Sequence, residues 1–293
     1  MSRMTRPPRP SAVRLTVVVL AVMSATFAYP WRSATDRWVL AGAAGLALMV
    51  LMWWRGRFVT TILGHRARIA LQRRAIRMPS AADTVTELDA LTTVLLRVDG
   101  SNGHPPTDML AGYLDRYGLH CDSIRITTRL AGADRRMWIG LRFSAAENLA
   151  ALRARSARMP LHDTARNAAR RLIEHLGDLG WTAHLAEPDQ VPDMLAGEAR
   201  EGWRSVRDSR GFLTAYAVET GSAPIVGSEL AECWSVVEIA GRRSDPQIIA
   251  GIAIRTEDSP TAASPLPGLA AITGRQASAL AALHPLSSTR LLT

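Results

Sequence analysis

The chain has 293 residues, a formal net charge of +9 and two cysteines, and its 35 basic residues are all arginine. Without a lysine it cannot form a P-loop that binds nucleotide phosphates, nor carry out Schiff-base chemistry on a lysine amine. From residue 79 onward 22 arginines stand against 25 acidic residues, so this part lacks the basic surface of a nucleic-acid-binding domain.

After a short N-terminal tail (residues 1–11), two apolar runs predict a transmembrane hairpin over residues 12–54. The runs, Leu15–Tyr29 and Trp38–Trp54, are near the lower limit of about 17 residues for a helical span, and the first extends to Val13 and Trp31. The predicted membrane-interface residues are the aromatic and basic side chains at their ends: Trp31, Trp38, Trp53, Trp54, Arg55 and Arg57. Alternatively, the first run is a cleaved signal peptide, and only the second run spans.

The placement of arginine predicts which side of the membrane the chain occupies. Four arginines precede the first apolar run, and seven follow the second with no acidic residue among them. Positive charge beside a span is retained in the cytoplasm. We therefore expect a multi-pass protein of the inner (plasma) membrane whose N-terminus and large soluble domain are both cytoplasmic. Two isolated cysteines, Cys121 and Cys233, agree with a reducing compartment.

Residues 55–78 predict a basic juxtamembrane helix, followed by a small, polar linker at residues 79–91. Ile62, Ile69 and Ile76 recur every seven residues along this helix, which is the spacing of a seam that docks a partner helix. The alternative is an amphipathic helix that lies against anionic lipid headgroups. The sequence leaves both interpretations open.

Residues 92–258 predict a cytosolic α+β domain in which a mostly antiparallel sheet carries helices on one face. A segment with two prolines, 187–197, is a possible internal boundary, after which further strands either complete the same sheet or form a second lobe. The predicted strands cover Thr92–Val98, Ser123–Arg129, Met137–Phe143, Trp181–Ala186, Phe212–Val218, Trp234–Ala240 and Ile248–Arg255. The predicted helices cover Pro106–Tyr117, Ala145–Arg158 and Asp163–Leu179.

The last segment, residues 259–293, is rich in proline, alanine, serine and leucine and has weak periodicity. This composition predicts an extended C-terminal tail with at most one short helix, near Gln276–Leu283.

No residue pattern indicates a catalytic, cofactor-binding or metal-binding site, so we expect a protein without enzymatic activity or cofactor. The tripeptide His120-Cys121-Asp122 holds a base, a thiol and a carboxylate together, but neighbouring side chains on a strand point to opposite faces. Three arginine pairs, Arg135–Arg136, Arg170–Arg171 and Arg242–Arg243, can grip acidic partners through bidentate contacts, although such pairs are more often solvated or paired with neighbours.

Several stretches are similar to a known family. The segments Tyr29–Leu40, Gly112–Gly118, Asn148–Leu152 and Ala279–Ser287 resemble EccE, a membrane component of the mycobacterial type VII (ESX) secretion system. The chain is most like the paralogue of the ESX system that is linked to iron acquisition. The resemblance implies a structural subunit with two transmembrane helices and a cytosolic domain, beside EccB, the ATPase EccC and EccD in an inner-membrane complex. It implies no catalytic residues.

Two other function classes remain as alternatives. One is a membrane-tethered domain that senses a ligand or regulates a partner. The other is an enzyme with an unrecognised site, which would need Asp115, His120, Cys121 and His184 to meet in one pocket.

Overall fold

A computed structural model divides the chain into two compact units, Met1–Arg73 and Arg74–Thr293. The described residues are 12–27, 33–51, 53–54, 57–58, 76, 78, 91–99, 103–155, 160–219, 231–261 and 264–291.

The described part of the first unit contains two helices that pack against each other, α1 (Ala12–Phe27) and α2 (Ala34–Leu51). Ala21 of α1 is buried, whereas four apolar side chains of the same helix are about half exposed, namely Val19, Leu20, Val22 and Met23. Within the described residues, no helix combines the length and the hydropathy that a bilayer crossing needs.

The second apolar run does not continue as a helix to its predicted end. α2 ends at Leu51, and β1 (Trp53–Trp54) pairs antiparallel with β2 (Arg57–Phe58). Gly56 lies between the two short strands, and the aromatic residues around it favour extended backbone. The helix predicted over residues 55–78 is therefore wrong at Arg57 and Phe58, and Ile76 and Met78 are not helical either. Residues 55–56, 59–75 and 77 lie outside the described part of the chain.

The described residues of the second unit form one sheet of ten strands in which every pairing is antiparallel. The strand order is β8-β3-β7-β6-β12-β13-β11-β10-β9, and β14 also pairs with β11. The strands are β3 (Leu91–Asp99), β6 (Ser123–Ala131), β7 (Asp134–Ser144), β8 (Thr182–Ala186), β9 (Arg200–Glu201), β10 (Val206–Asp208), β11 (Gly211–Val218), β12 (Glu232–Arg242), β13 (Asp245–Thr256) and β14 (Leu269–Ala271).

The α+β class and the mostly antiparallel sheet are thus confirmed, and the strands after residue 197 complete the same sheet. The junction is the pairing of β12 with β6, which runs from Glu232↔Ala131 to Ala240↔Ser123. The described strands on both sides of the two-proline segment therefore belong to one sheet.

Among the described residues of this unit, four helices accompany the sheet: α3 (Thr107–Ala111), α4 (Leu149–Arg155), α5 (Leu161–Asp178) and α6 (Gln276–Leu283). The predicted placement of helices on one face is wrong, because α5 and α6 lie on opposite faces. Leu96 belongs to the apolar cluster that α5 covers, whereas its neighbour Leu95 belongs to the cluster that α6 covers. Adjacent strand residues point to opposite faces, so the two clusters mark the two sides of the sheet.

The C-terminal segment is not an extended tail over residues 264–291. The short helix predicted at Gln276–Leu283 is present as α6. Leu280, Leu283 and Leu286 are buried against the sheet. The Gln276 side chain accepts a hydrogen bond from Ala215 N and donates one to Ala215 O, so it substitutes for a missing strand partner. Apolar burial, which periodicity did not reveal, holds this segment in place.

A helix predicted over Pro106–Tyr117 is present only as α3, which ends at Ala111. The chain then forms a small hairpin of β4 (Asp115–Arg116) and β5 (Leu119–His120). The turn between them is Tyr117-Gly118, and both residues have positive φ, at 58° and 70°. Two consecutive residues with this backbone form a tight hairpin turn that a helix cannot contain.

Candidate interaction surface

The predicted membrane-interface residues do not gather into one described site. Trp38 is 78% exposed on α2. Trp53, Trp54 and Arg57 lie in β1 and β2, and the predictions for Trp31 and Arg55 fall outside the described residues. Their role at a membrane stays a prediction.

The isoleucine seam is described at one position only. Ile76 is half-buried and packs against the apolar cluster under α6. Ile62 and Ile69 lie outside the described residues, so the seam also stays a prediction.

The four residues that would form an unrecognised catalytic site do not meet in one pocket. His120 Nδ1 lies 2.7 Å from Asp115 Oδ1. The buried Cys121 thiol instead donates to the carbonyl oxygens of Ser123 and Arg142, and burial raises its pKa well above the usual range. His184 of the edge strand β8 pairs with Asp99 of the neighbouring strand β3 at 3.5 Å. A reactive thiolate beside a base is therefore not assembled here.

The second cysteine is similarly unreactive, because burial raises the pKa of Cys233 to about 12. In the described residues, no three His, Cys, Asp or Glu side chains are placed to hold a metal ion.

The surface that does concentrate unusual features is the β4–β5 hairpin. Tyr117 is the one non-glycine residue with positive φ in the described chain, and its side chain is 45% exposed. A bulky residue in the left-handed region costs about 1–2 kcal/mol relative to ordinary backbone. Such strain persists only where the surroundings fix it, so the contacts around this ring are informative.

Two guanidinium groups and two tyrosine rings stack beside one another there. Arg171 Cζ lies 4.3 Å from the Tyr117 ring centroid, and Arg116 Cζ lies 5.1 Å from the same centroid. Arg116 also lies 4.4 Å from the ring centroid of Tyr113, whose ring tilts against that of His175. We call Tyr113, Arg116, Tyr117, Arg171 and His175 the tyrosine–arginine cluster.

Hydrogen bonds fix the inner side of the cluster to α5. Tyr113 Oη lies 3.3 Å from Arg171 O and 3.2 Å from His175 Nδ1. Arg116 Nη1 lies 3.4 Å from the same nitrogen, and an arginine can only donate, so Nδ1 is the acceptor. These bonds fix the Arg116 side chain and the backbone of Arg171, and stacking on Tyr117 places the Arg171 guanidinium beside them.

The base of the hairpin is fixed by Asp115. Its carboxylate accepts hydrogen bonds from the Arg243 backbone N–H at 2.9 Å and from His120, and Arg242 lies 3.7 Å away. Partial burial opposes ionisation, but these contacts outweigh it and hold the pKa of Asp115 below its usual value. Asn148 bonds both the N–H and the carbonyl of His120, which ties the hairpin to the start of α4.

The opposite face of the sheet carries buried ion pairs instead of an open cleft. Arg125 of β6 donates to Glu238 of β12 at 2.7 Å, and both side chains are at least 94% buried. The same guanidinium donates to the carbonyl oxygens of His284, Ser287 and Thr289. The pair therefore holds the segment after α6 against the sheet.

A second buried network surrounds Glu232, whose carboxylate accepts from Arg129 at 2.9 Å and from Arg255 at 2.7 Å. Arg255 also donates to Asp208 and to the carbonyl oxygen of Met194. Burial opposes ionisation of Glu232, but the bonds from the arginines outweigh it, so its pKa lies below the usual value. These contacts join β6, β12 and β13 and fix the loop before β9.

His284 follows α6 and is buried beside Arg125. Burial lowers its pKa to about 4, and Nδ1 accepts a hydrogen bond from the Leu286 N–H, so the ring is neutral near pH 7. A neutral buried histidine of this kind serves packing and turn geometry.

Sequence reasoning missed the tyrosine–arginine cluster because the residues around Tyr117 were assigned to a helix. The available signal was the pair of turn residues Tyr117-Gly118 before a short alternating stretch. The arginine pairs at 170–171 and 242–243 were considered as grips for acidic partners, and both lie close to the hairpin.

Comparison with known proteins identifies relatives along nearly the whole chain. Residues 131–218 match the family model described as "Putative type VII ESX secretion system translocon, EccE". The chain is 41% identical over 285 residues to "ESX-3 secretion system protein EccE3" of Mycolicibacterium smegmatis, covering 95% of this chain and 89% of the relative. It is 40% identical over 296 residues to the protein of the same name from Mycobacterium tuberculosis, covering 97% and 88%. The family and the paralogue that the sequence resembles are thereby confirmed.

Proposed function

This chain belongs to the EccE family, and from that membership we propose that it is a non-catalytic structural subunit of the inner-membrane type VII (ESX) secretion complex. The observation that carries the proposal is the similarity of about 40% identity along nearly the full length of proteins named for the ESX-3 system. A match confined to the fold of one domain would support much less.

The chemistry of the described residues is compatible with a structural role. The apolar residues form two packed layers on either side of one sheet, and the buried charged groups pair with each other. The chain also contains no lysine, so a P-loop that hydrolyses ATP would have to come from another subunit. In the proposed complex that subunit is EccC.

We place the N-terminal helices in the bilayer as a hairpin with both ends in the cytoplasm. The exposed apolar side chains of α1 and the exposed Trp38 of α2 support this placement, as do the arginines that flank the two runs. The described helices have 16 and 18 residues, which is about 24 and 27 Å at 1.5 Å per residue. They approach the thickness of a hydrocarbon core of about 30 Å.

In this proposal the hairpin tethers the α+β domain, which braces the cytosolic parts of EccB, EccC and EccD. Gentle detergent extraction followed by native electrophoresis tests it. We expect the full-length chain to migrate with EccC and EccD in a large complex. Recovery of a lone monomer, under conditions in which EccC and EccD still migrate together, would contradict the bracing role.

Cysteine labelling in intact cells tests the orientation. Both native cysteines are buried, so the wild-type chain should react little with a maleimide that cannot cross membranes. We expect Ser33→Cys, between the two helices, to be labelled from outside, and Ser80→Cys to be labelled only after the cells are permeabilised. Labelling of residue 80 but not of residue 33 would reverse the orientation.

A further inference from the structure

The tyrosine–arginine cluster presents two guanidinium groups, and the nearby Glu174 carboxylate acts electrostatically on Tyr113 without forming a described ion pair with either of them. Among the described residues, no carboxylate lies within 4.0 Å of the Arg116 or Arg171 guanidinium, although 11 other ion pairs reach that distance. Arg171 is exposed at the surface of α5. Both groups are stacked on tyrosine rings. Arg116 uses an Nη1 N–H on His175, so its remaining N–H groups and those of Arg171 are available for a planar acceptor.

The ring between these groups is also held at the surface. Tyr117 occupies a backbone conformation that glycine adopts more easily, yet the stacked arginines fix its side chain in a half-exposed position. Exposed tyrosine and arginine in a rigid arrangement are the residue types that dominate binding energy at protein interfaces.

The positive surface extends beyond the cluster to the β12–β13 turn. The Arg242 side chain is 69% exposed and Arg243 is exposed beside it, where the Asp115 carboxylate holds the β12–β13 turn against the hairpin. The chain from residue 79 onward is nevertheless net negative, with 22 arginines and 25 acidic residues. The cluster is therefore a local positive site on an acidic domain.

From this arrangement we propose that the tyrosine–arginine cluster docks an acidic peptide segment of another protein subunit, with carboxylates on Arg116 and Arg171 and apolar contact on Tyr117. This inference rests on the proposed function for the identity of the partner as a subunit of the secretion complex. A carboxylate matches the fork of a guanidinium in two parallel hydrogen bonds. An anionic membrane is the weaker fit, since the net negative domain is repelled by such a surface.

Direct binding of a model acidic peptide tests the chemistry. The full-length chain in zwitterionic micelles is titrated into a fluorescent poly-glutamate peptide, with poly-glutamine as the uncharged match. We expect salt-sensitive binding of poly-glutamate alone, weakened about tenfold or more by Arg171→Gln or Arg116→Gln, as for the loss of one charge-assisted pair. Tyr117→Gly should also weaken binding while leaving the melting temperature unchanged or higher, because glycine relieves the strained turn.

Arg207→Gln provides the matched control. Arg207 is exposed and its guanidinium lies 5.5 Å from the ring centroid of Phe212, so this change also removes one charge stacked on an aromatic ring. We expect poly-glutamate affinity to change less than twofold in this variant. If Arg207→Gln and Arg171→Gln lowered the affinity for poly-glutamate equally, the attraction would be nonspecific, and the proposed docking site would be wrong. Displacement of the peptide by micelles that contain phosphatidylglycerol, with lipid binding also lost in Arg171→Gln, would assign the cluster to the membrane.

Crosslinking within the assembled complex tests the partner. Because Cys121 and Cys233 are buried, Glu174→Cys carries the one accessible thiol for a photoactivated crosslinker among the described positions. Glu174 is exposed on α5, three residues after Arg171, and its replacement removes no member of the cluster. We expect crosslinks to an acidic segment of a subunit that migrates with the chain, and none of comparable yield from Arg207→Cys. Crosslinks to lipid alone, in a chain that still migrates with the complex, would refute this inference and leave the proposed function standing. Poly-glutamate binding by a chain that never joins the complex would contradict the proposed function and would leave the binding site for acidic peptides supported.

Discussion

Arg125→Met is expected to lower the free energy of unfolding by about 3–5 kcal/mol, because it leaves the Glu238 carboxylate buried without its cation. Glu238 is 1% exposed, and its remaining partner for the same oxygen is the Leu291 N–H at 3.3 Å. The carbonyl oxygens of His284, Ser287 and Thr289 lose a donor as well. Urea denaturation of the full-length chain measures the change, and hydrogen exchange should accelerate at the amides after α6.

Two further variants decide whether the ion pair is the cause. Arg125→Met combined with Glu238→Leu should regain much of the lost stability, since a buried pair replaced by apolar residues is often neutral or stabilising. Arg97→Met is the control, because the Arg97–Asp99 pair is 31% and 48% exposed and should contribute less than about 1 kcal/mol. If the double variant were as unstable as the single one, packing of the arginine side chain and not its charge would hold the C-terminal segment.

Glu232→Gln is expected to cost about 3 kcal/mol of unfolding free energy at pH 7, because it keeps the shape of the side chain and removes its charge. Arg129 and Arg255 then face a neutral group inside the sheet. Arg255 keeps its bond to Asp208, which limits the loss. Thermal and urea unfolding of the full-length chain measure the difference from wild type.

The pH dependence of that difference separates charge from packing. The folded pKa of Glu232 lies below its ordinary value of 4.5, so its ionised form stabilises the fold above that pH. As the pH falls below about 4.5, the unfolded chain takes up the proton first and the stabilisation is lost. The difference in unfolding free energy between wild type and Glu232→Gln should therefore narrow in acid.

Asp134→Asn is the control. Asp134 also contacts Arg129, but it is 46% exposed, and a change in unfolding free energy below about 1 kcal/mol is expected. A gap that stayed constant down to pH 3 would contradict the electrostatic account.

The strands were predictable because their apolar residues alternate or run continuously, and β3, β6, β7, β11, β12 and β13 all contain the predicted segments. The prediction that helices cover only one face of the sheet was wrong. Arg125, Arg129 and Glu238 alternate with apolar neighbours, a pattern typical of a strand with one solvated side. Here the polar residues are buried because they pair with each other across neighbouring strands, and periodicity carries no information about such pairing.

The prediction of an extended C-terminal tail was wrong for a related reason. The segment is buried against a sheet face that the alternation of polar and apolar strand residues predicts to be solvated. The residues around Leu286 and Leu291 therefore gave no sign of a surface for these side chains to cover.

The candidate interaction surface was less accessible to sequence reasoning than the fold. Its residues come from the β4–β5 hairpin and from α5, so their proximity is a property of the tertiary structure. The turn was not predicted because tyrosine rarely adopts positive φ, so a tyrosine-glycine pair is a weak turn signal. The family, in contrast, was recognisable from short segments spread along the chain.

The way the last residues fold back also bears on how this protein is made. Arg125 binds carbonyl oxygens 159 to 164 positions later in the chain. Strand β6 can pair with β12 only after β12 has been synthesised, about a hundred residues later. A ribosome therefore releases the segment that shields these charges only after about 160 further residues have been added, and the nascent sheet remains incomplete until then. Interrupted synthesis would yield a chain with uncovered ionic and apolar surface, a state that chaperones retain and proteases remove.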